Sequence, residues 1–256
     1  DENGQLSMQD LEAALREDTA IVSLIWANNE TGVVWPIDEY ASLCQKKEVL
    51  LHVDAVQAVG KLPVNFISSG IDFLSFSGHK IGALKGIGAL LVKDPSSVCP
   101  LLCGGHQEHG IRAGTEALPL IIGLGKAAEI NAKEGKTAWH RIETMRNNFE
   151  DRVLRAINGA CINGRGSARL INTTSLHIPG IDGDAMVTYL DQKNIYLSSG
   201  SACLEQTITP SHVVLAMSHS YTRATETIRV SLGKKTSERD LSRLLDELCM
   251  FVEIMA

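Results

Sequence analysis

An α/β architecture built around a mostly parallel sheet is predicted by three features of the sequence. Short apolar runs end in polar groups, segments of helical periodicity alternate with those runs, and turn-forming residues separate the two kinds of segment. Residues 7–16 (SMQDLEAALR) place Ser7 three positions before Asp10, the spacing of a capping box. Leu11, Ala14 and Leu15 then share one face, which predicts a helix. AIVSLIWA at 20–27 predicts a buried strand ending in the polar turn NNETG. Residues 36–47 predict a helix with Pro36 at its start, where a missing N–H costs nothing. Strands follow at 49–55 (VLLHVDA), 71–77 (IDFLSFS) and 86–92 (GIGALLV).

Residues 118 to about 157 predict mainly helix, broken near Gly135, with small residues early and mixed charge over an amphipathic pattern later. After Gly159 a smaller unit is predicted. It has a strand around NTTSLHI, a helix at DAMVTYLDQKN, the segment IYLSSGSAC, a helix at SHVVLAM, a strand at TIRVSL and a final helix from about Ser237. The resulting division is 1–135 for a first domain and 136–256 for a linking helix and a second, smaller one, with no Pro- or Ser-rich linker between them.

The chain has 256 residues, and 24 Lys and Arg against 30 Asp and Glu give a net charge of −6. With 44% apolar residues it can bury a substantial core, and its mild acidity argues against a protein that grips nucleic acid through a basic face. No apolar run reaches the ~20 residues of a membrane span. Residues 1–10 lack the basic start and apolar core of a signal peptide. The six cysteines (44, 99, 103, 161, 203 and 249) are too scattered for a disulfide framework and predict a reduced, cytoplasmic setting.

In open α/β sheets ligands bind beyond the carboxyl ends of the strands. Three polar groups occupy such ends: Asn28 and Asn29, then Asp54, then Ser77-Gly78-His79-Lys80. An acid facing a lysine in one crevice suits pyridoxal 5′-phosphate, which binds covalently to a lysine and needs an acid to keep its ring nitrogen protonated. On this reading Gln57 meets the ring's phenolic oxygen, and Ser77 and His79 meet the phosphate. Lys85 is the rival lysine, ranked behind Lys80 because it does not end a strand. Taken by their residue types, Cys99, Cys103, His106 and His109 offer metal ligands, but without a paired CxxC spacing they predict no metal site. His52 and His177, alternating with apolar residues, read as packed or surface histidines, and His140 as solvated.

The strings LHVDAVQAVGK, FSGHKIGALKGIGAL, GGHQEHGIRAGTE, SSGSAC and IRVSLG follow one another in an order that resembles the cysteine desulfurases of the NifS/IscS type. These are class V aminotransferase-family enzymes of the aspartate aminotransferase-like fold. The SSGSAC form is closer to that branch than to the SufS branch. The resemblance implies pyridoxal 5′-phosphate as cofactor and L-cysteine as substrate, with L-alanine and an enzyme persulfide as products. Residue by residue, it implies Lys80 as the cofactor-bearing lysine and proton carrier, Asp54 at the ring nitrogen, and Gln57 at the phenolic oxygen. Asn29 falls in the cofactor and substrate region, and Ser77, His79 and Thr115 at the phosphate, Thr115 reaching a partner subunit's site. Arg229 falls at the substrate carboxylate, and Cys203 is the nucleophile.

It further implies a homodimer, with 104–116 facing the partner subunit, and delivery of sulfur to acceptors such as an iron–sulfur scaffold. It implies neither nucleic-acid nor membrane partners. Residues 1–20 match neither the family's N-terminal phosphate-binding turn nor its ring-stacking histidine. The expectation is therefore an incomplete large domain, with weak cofactor binding and impaired turnover by this chain alone. Selenocysteine lyase or another transferase or lyase of the same fold is the alternative within enzymes. A non-catalytic partner-binding fragment is the alternative outside them.

Overall fold

The computed structural model describes residues 1–200 and 210–255. The chain forms two compact units, Met8–Trp26 with Pro36–Gly135, and Asp1–Ser7 with Ala27–Trp35 and Lys136–Ala256. A linear division at residue 135 therefore misplaces two short segments. Both are held by residues far along the chain: Ser167 Oγ donates to Asn3 O (2.9 Å), and Val34 N donates to Ala168 O (2.8 Å).

In the first unit, α1 (Met8–Ala14) precedes β1 (Ile21–Ile25), and α2 (Ile37–Lys46) leads to β2 (Leu50–Asp54), β3 (Phe73–Ser77) and β4 (Gly88–Val92). The strands lie side by side in the order β1-β2-β3-β4. β1, β2 and β3 are parallel, with Ile25 opposite Asp54 and Asp54 opposite Ser75, while β4 is antiparallel to β3. β2 and β3 bury Leu51, Val53 and Leu74 completely. α2 buries Ile37, Tyr40, Ala41, Leu43 and Cys44 along one stripe, the i, i+3, i+4, i+7 pattern of an amphipathic helix. Each large side chain so buried contributes about 1.5–3 kcal/mol. On one face of the sheet Ser23, His52 and Ser75 form a cross-strand ladder. Ser23 Oγ lies 2.7 Å from His52 Nδ1, and Ser75 Oγ lies 3.1 Å from His52 Nε2.

α3 (Leu118–Ala156) is a single helix of 39 residues without the predicted break at Gly135. A helical glycine costs only about 1 kcal/mol relative to alanine, which the hydrogen bonds and packing on either side outweigh.

The second unit continues with β5 (Cys161–Ile162), β6 (Thr173–His177), α4 (Gly183–Gln192), α5 (His212–Ser218), α6 (Tyr221–Thr225), β7 (Thr227–Ser231) and α7 (Glu238–Met255). β5, β6 and β7 form an antiparallel sheet in that order. The helix starts follow from their caps: Asp182, Ser211 and Ser220 accept from the backbone N–H groups of Ala185, Val214 and Arg223. The core joins Ile142, Met145, Phe149 and Val153 of α3, Met186 and Leu190 of α4, Ile228 and Val230 of β7, and Leu241, Leu244, Leu248 and Phe251 of α7. β5 and α6 are too short for any periodicity to announce. Among the described residues no helix is long and apolar enough to cross a membrane.

Candidate functional site

The parallel register sets the first cluster. Because β2 and β3 point the same way and Asp54 pairs with Ser75, both strands leave the sheet at one edge, and Asp54, Gln57, Ser77, His79 and Lys80 all belong to that edge. Asp54 is half-buried. Its Oδ1 accepts from Val56 N (2.8 Å), and its Oδ2 has no protein partner among the described residues. Gln57 lies in the turn that follows, where Lys61 Nζ donates to its Oε1 (2.6 Å). That bond commits the amide oxygen and leaves the Nε2 hydrogens to donate elsewhere. Ser77 Oγ and His79 Nδ1 are 2.8 Å apart.

Lys80 is exposed on a 3-10 turn, Gly78–Ile81, that starts as β3 ends and closes at Gly82, whose φ of 93° suits glycine. The turn is fixed on both sides. Gly78 N donates to Ile87 O (2.9 Å), and Asn131 Nδ2 of α3 donates to Ile81 O (2.7 Å). A Cβ on Gly78 would come within 2.9 Å of Ile87 Cγ2 and 3.1 Å of Ile87 O. Gly78→Ala is therefore expected to destabilise the chain by about 1–3 kcal/mol, read as a lower midpoint in urea unfolding. Lys85 is also exposed but lies beyond this fixed turn.

Taken together, the edge presents an amine, an unengaged carboxylate oxygen, an amide donor and a hydroxyl–imidazole pair. This donor set fits a protonated pyridine carrying a phenolic oxygen and a phosphate, so the residues present suit pyridoxal 5′-phosphate.

The second cluster lies in the other unit. Arg229 sits on β7, and its Nη1 donates to Asn29 O (3.0 Å). Its backbone pairs with Ser198, Arg229 N donating to Ser198 O (2.6 Å), so the stretch that leads toward Cys203 starts against the arginine-bearing strand. Asn28 shapes the neighbouring turn by accepting from Glu30 N (2.9 Å) and Thr31 N (3.0 Å). The turn carries Glu30 into the interior, 3% exposed, where Ser211 Oγ donates to its Oε2 (2.5 Å). Gly200 lies in the same place, since a Cβ there would be 3.7 Å from Glu30 Oε2 and 3.9 Å from Ser211 Cβ. Sequence reasoning passed over Glu30 and Ser211, because only their 181-residue separation in contact reveals them. Ser211→Ala removes the donor to a buried carboxylate together with the α5 cap. It should cost about 1–3 kcal/mol, measurable by thermal unfolding.

Cys203 lies outside the described residues. Thr115 is exposed in the turn-rich stretch before α3 and, among the described residues, is not hydrogen-bonded to the Asp54–Lys80 cluster. Among the described residues no group of three or more His, Cys, Asp or Glu side chains could hold a metal ion, the stretch from Cys99 to His109 included.

Residues 1–244 match the family described as aminotransferase class-V. The sequence is similar to a cysteine desulfurase of Trichormus azollae, 45% identical over 251 residues, which are 98% of this chain and 63% of that protein. It is also similar to the cysteine desulfurase NifS of Azotobacter vinelandii, 41% identical over 248 residues, 97% of this chain and 62% of that one. Among solved structures, a NifS-like protein superposes with a TM-score of 0.89 at 32% identity, covering 99% of this chain and 66% of its own. A NifS-like protein from Rickettsia africae superposes equally well (0.89) at 30% identity, covering 99% and 68%. The chain thus spans a little under two thirds of the length of these curated relatives, 63% and 62%.

Proposed function

Because the chain belongs to the class-V aminotransferase family, we propose that it takes part in pyridoxal-phosphate-dependent removal of sulfur from L-cysteine, yielding L-alanine and a persulfide on Cys203. The observation that carries this reading is the common strand edge at which Asp54 Oδ2 is unengaged beside the fixed turn bearing Lys80. Pyridoxal phosphate, when bound, supplies an electron sink for the carbanion that follows loss of the substrate's α-proton.

The chain's own groups do the rest. Lys80 Nζ holds the cofactor and carries the proton at the substrate α-carbon. Asp54 would pair with the cofactor's ring nitrogen and keep it protonated, and Gln57 would donate to its phenolic oxygen. Ser77 and His79 hold the phosphate, joined by Thr115 across a homodimer interface. Arg229 binds the substrate carboxylate, for which its planar fork is suited, with Asn29 beside it. The Cys203 thiolate attacks the substrate sulfur. The S–Cβ bond breaks, a new S–S bond forms on Cys203, and protonation leaves alanine. The persulfide passes to an acceptor protein such as an iron–sulfur scaffold. A cytoplasmic setting agrees with this thiol chemistry and with the five described cysteines, all free thiols.

The test is stoichiometry. Purified protein supplied with pyridoxal phosphate and L-cysteine should release one alanine per sulfur delivered to a reducing thiol. Cys203→Ala should abolish sulfur delivery yet keep the cofactor's visible absorbance. Transfer of the amino group to a 2-oxo acid, with Cys203→Ala fully active, would overturn the proposal in favour of an aminotransferase.

A further inference from the structure

Three side chains of the second unit form a chain that none of the roles above uses. Cys161 on β5 and His177 on β6 are direct cross-strand partners. Cys161 Sγ lies 3.4 Å from His177 Nδ1, and the far ring nitrogen, Nε2, lies 2.9 Å from Glu226 Oε2. The second carboxylate oxygen, Glu226 Oε1, accepts from Gly180 N (2.9 Å), so the acid is held at both ends.

The donor directions follow from chemistry. An ionised carboxylate only accepts, so the hydrogen of the neutral imidazole sits on Nε2 and the lone pair on Nδ1 faces the thiol. A base aimed at a nucleophile and oriented in turn by a third group is the arrangement that activates catalytic thiols. β5 is the edge strand of its sheet, Cys161 is only part-buried, and the adjoining Gly180 opens onto empty space. A small reagent therefore has a way in. The other described thiols lack such a base. Cys44 and Cys249 are pushed up from the usual thiol range, by burial first and by nearby carboxylates second. Cys99 and Cys103 are exposed and have no histidine bonded to them.

We propose that Cys161, His177 and Glu226 form a second reactive-thiol site, at which Cys161 exchanges with small disulfides. As Sγ attacks one sulfur of R–S–S–R, its proton passes to His177 Nδ1. The Sγ–S bond forms and the S–S bond breaks. RS⁻ leaves with the electron pair and takes the proton from the imidazolium, giving Cys161–S–S–R and RSH. The disulfide is the oxidant, and the imidazole ends as it began.

The experiment treats the purified protein with 2,2′-dithiodipyridine at pH 6.5, quenches at intervals, and quantifies each cysteine by peptide mass mapping. Cys161, though less exposed, should react at least about tenfold faster than Cys99 and Cys103, a modest share of the 10²–10⁴-fold that a positioned base supplies. In His177→Gln that advantage should vanish, with Cys44 still protected as the internal sign of an intact fold. Should that variant unfold, the ranking in the unsubstituted protein decides by itself. Labelling of Cys161 no faster than of Cys99, or a rate unchanged in folded His177→Gln, overturns the proposal.

Discussion

Lys80→Ala is expected to lower alanine production from L-cysteine by roughly 10³-fold or more and to abolish covalent retention of pyridoxal phosphate. Lys80 is tied to the strand edge by three neighbours that do not move with it. Gly78 is bonded to Ile87, Ile81 to Asn131, and Gly82 closes the turn in a left-handed conformation. An amine so placed has a fixed reach, and a lysine elsewhere cannot inherit its position. Lys80→Arg should be as inactive as the alanine variant, because a guanidinium stays protonated and cannot bond covalently to an aldehyde. Lys85→Ala, by contrast, should leave turnover within about twofold, since its position beyond the turn asks nothing of the chemistry. The readouts are alanine release and the cofactor band that survives gel filtration. Wild-type turnover by Lys80→Ala would end the assignment of this lysine, whichever reaction the protein performs.

The parts of this site that were legible in the sequence are those fixed by short-range rules. Strands β2 and β3 are continuous apolar runs, and the change to Asp54 and to Ser77-Gly78-His79-Lys80 marks where each leaves the sheet. Helices α2, α4 and α7 declare themselves by their buried stripes. What escaped depends on contacts between distant residues. Nothing local tells that Ala27 to Trp35 group with residues beyond 135, because the bonds responsible join Gly32 to Leu170 and Val34 to Ala168. His177 reads as a packed or surface histidine, since alternation with apolar neighbours is all the strand reveals. Its partners lie 16 residues before it and 49 after it. Gly135 misled in the opposite direction, because a helix-weakening residue is outvoted by a long helix on both sides.

The largest effect on stability is expected at Glu150. Its side chain is 3% exposed, and every interaction it makes is with another buried group. Arg169 grips both oxygens, Nη1 to Oε1 at 2.8 Å and Nη2 to Oε2 at 2.7 Å, and Thr174 Oγ1 donates to Oε1 at 2.7 Å. Arg146, also buried, stands 4.0 Å away, its own guanidinium spent on Asn147 Oδ1 and on the carbonyl of Leu170. Glu150 is the carboxylate that both buried guanidiniums face, with Glu143 also acting on Arg146. Burial pushes the Arg146 guanidinium below its usual range, the neighbouring Arg169 adds to that push, and Glu150 opposes both. Glu150→Ala leaves the nearly buried Arg169 guanidinium and the buried Thr174 hydroxyl without the carboxylate that both bond. It should cost about 3–5 kcal/mol and lower the Tm by roughly 10 °C.

The exposed pair Arg16–Asp18 has a comparable separation of 2.7 Å, but solvent screens it, so Asp18→Ala should cost less than about 1 kcal/mol. The double replacement Glu150→Met with Arg169→Met separates two explanations. If the loss in Glu150→Ala comes from an uncompensated buried charge, removing the partner charge as well restores much of it, because well-packed apolar groups can replace a buried pair at little net cost. If the double variant is as unstable as the single one, the loss comes from packing and from the Thr174 bond that ties α3 to β6, not from the ion pair.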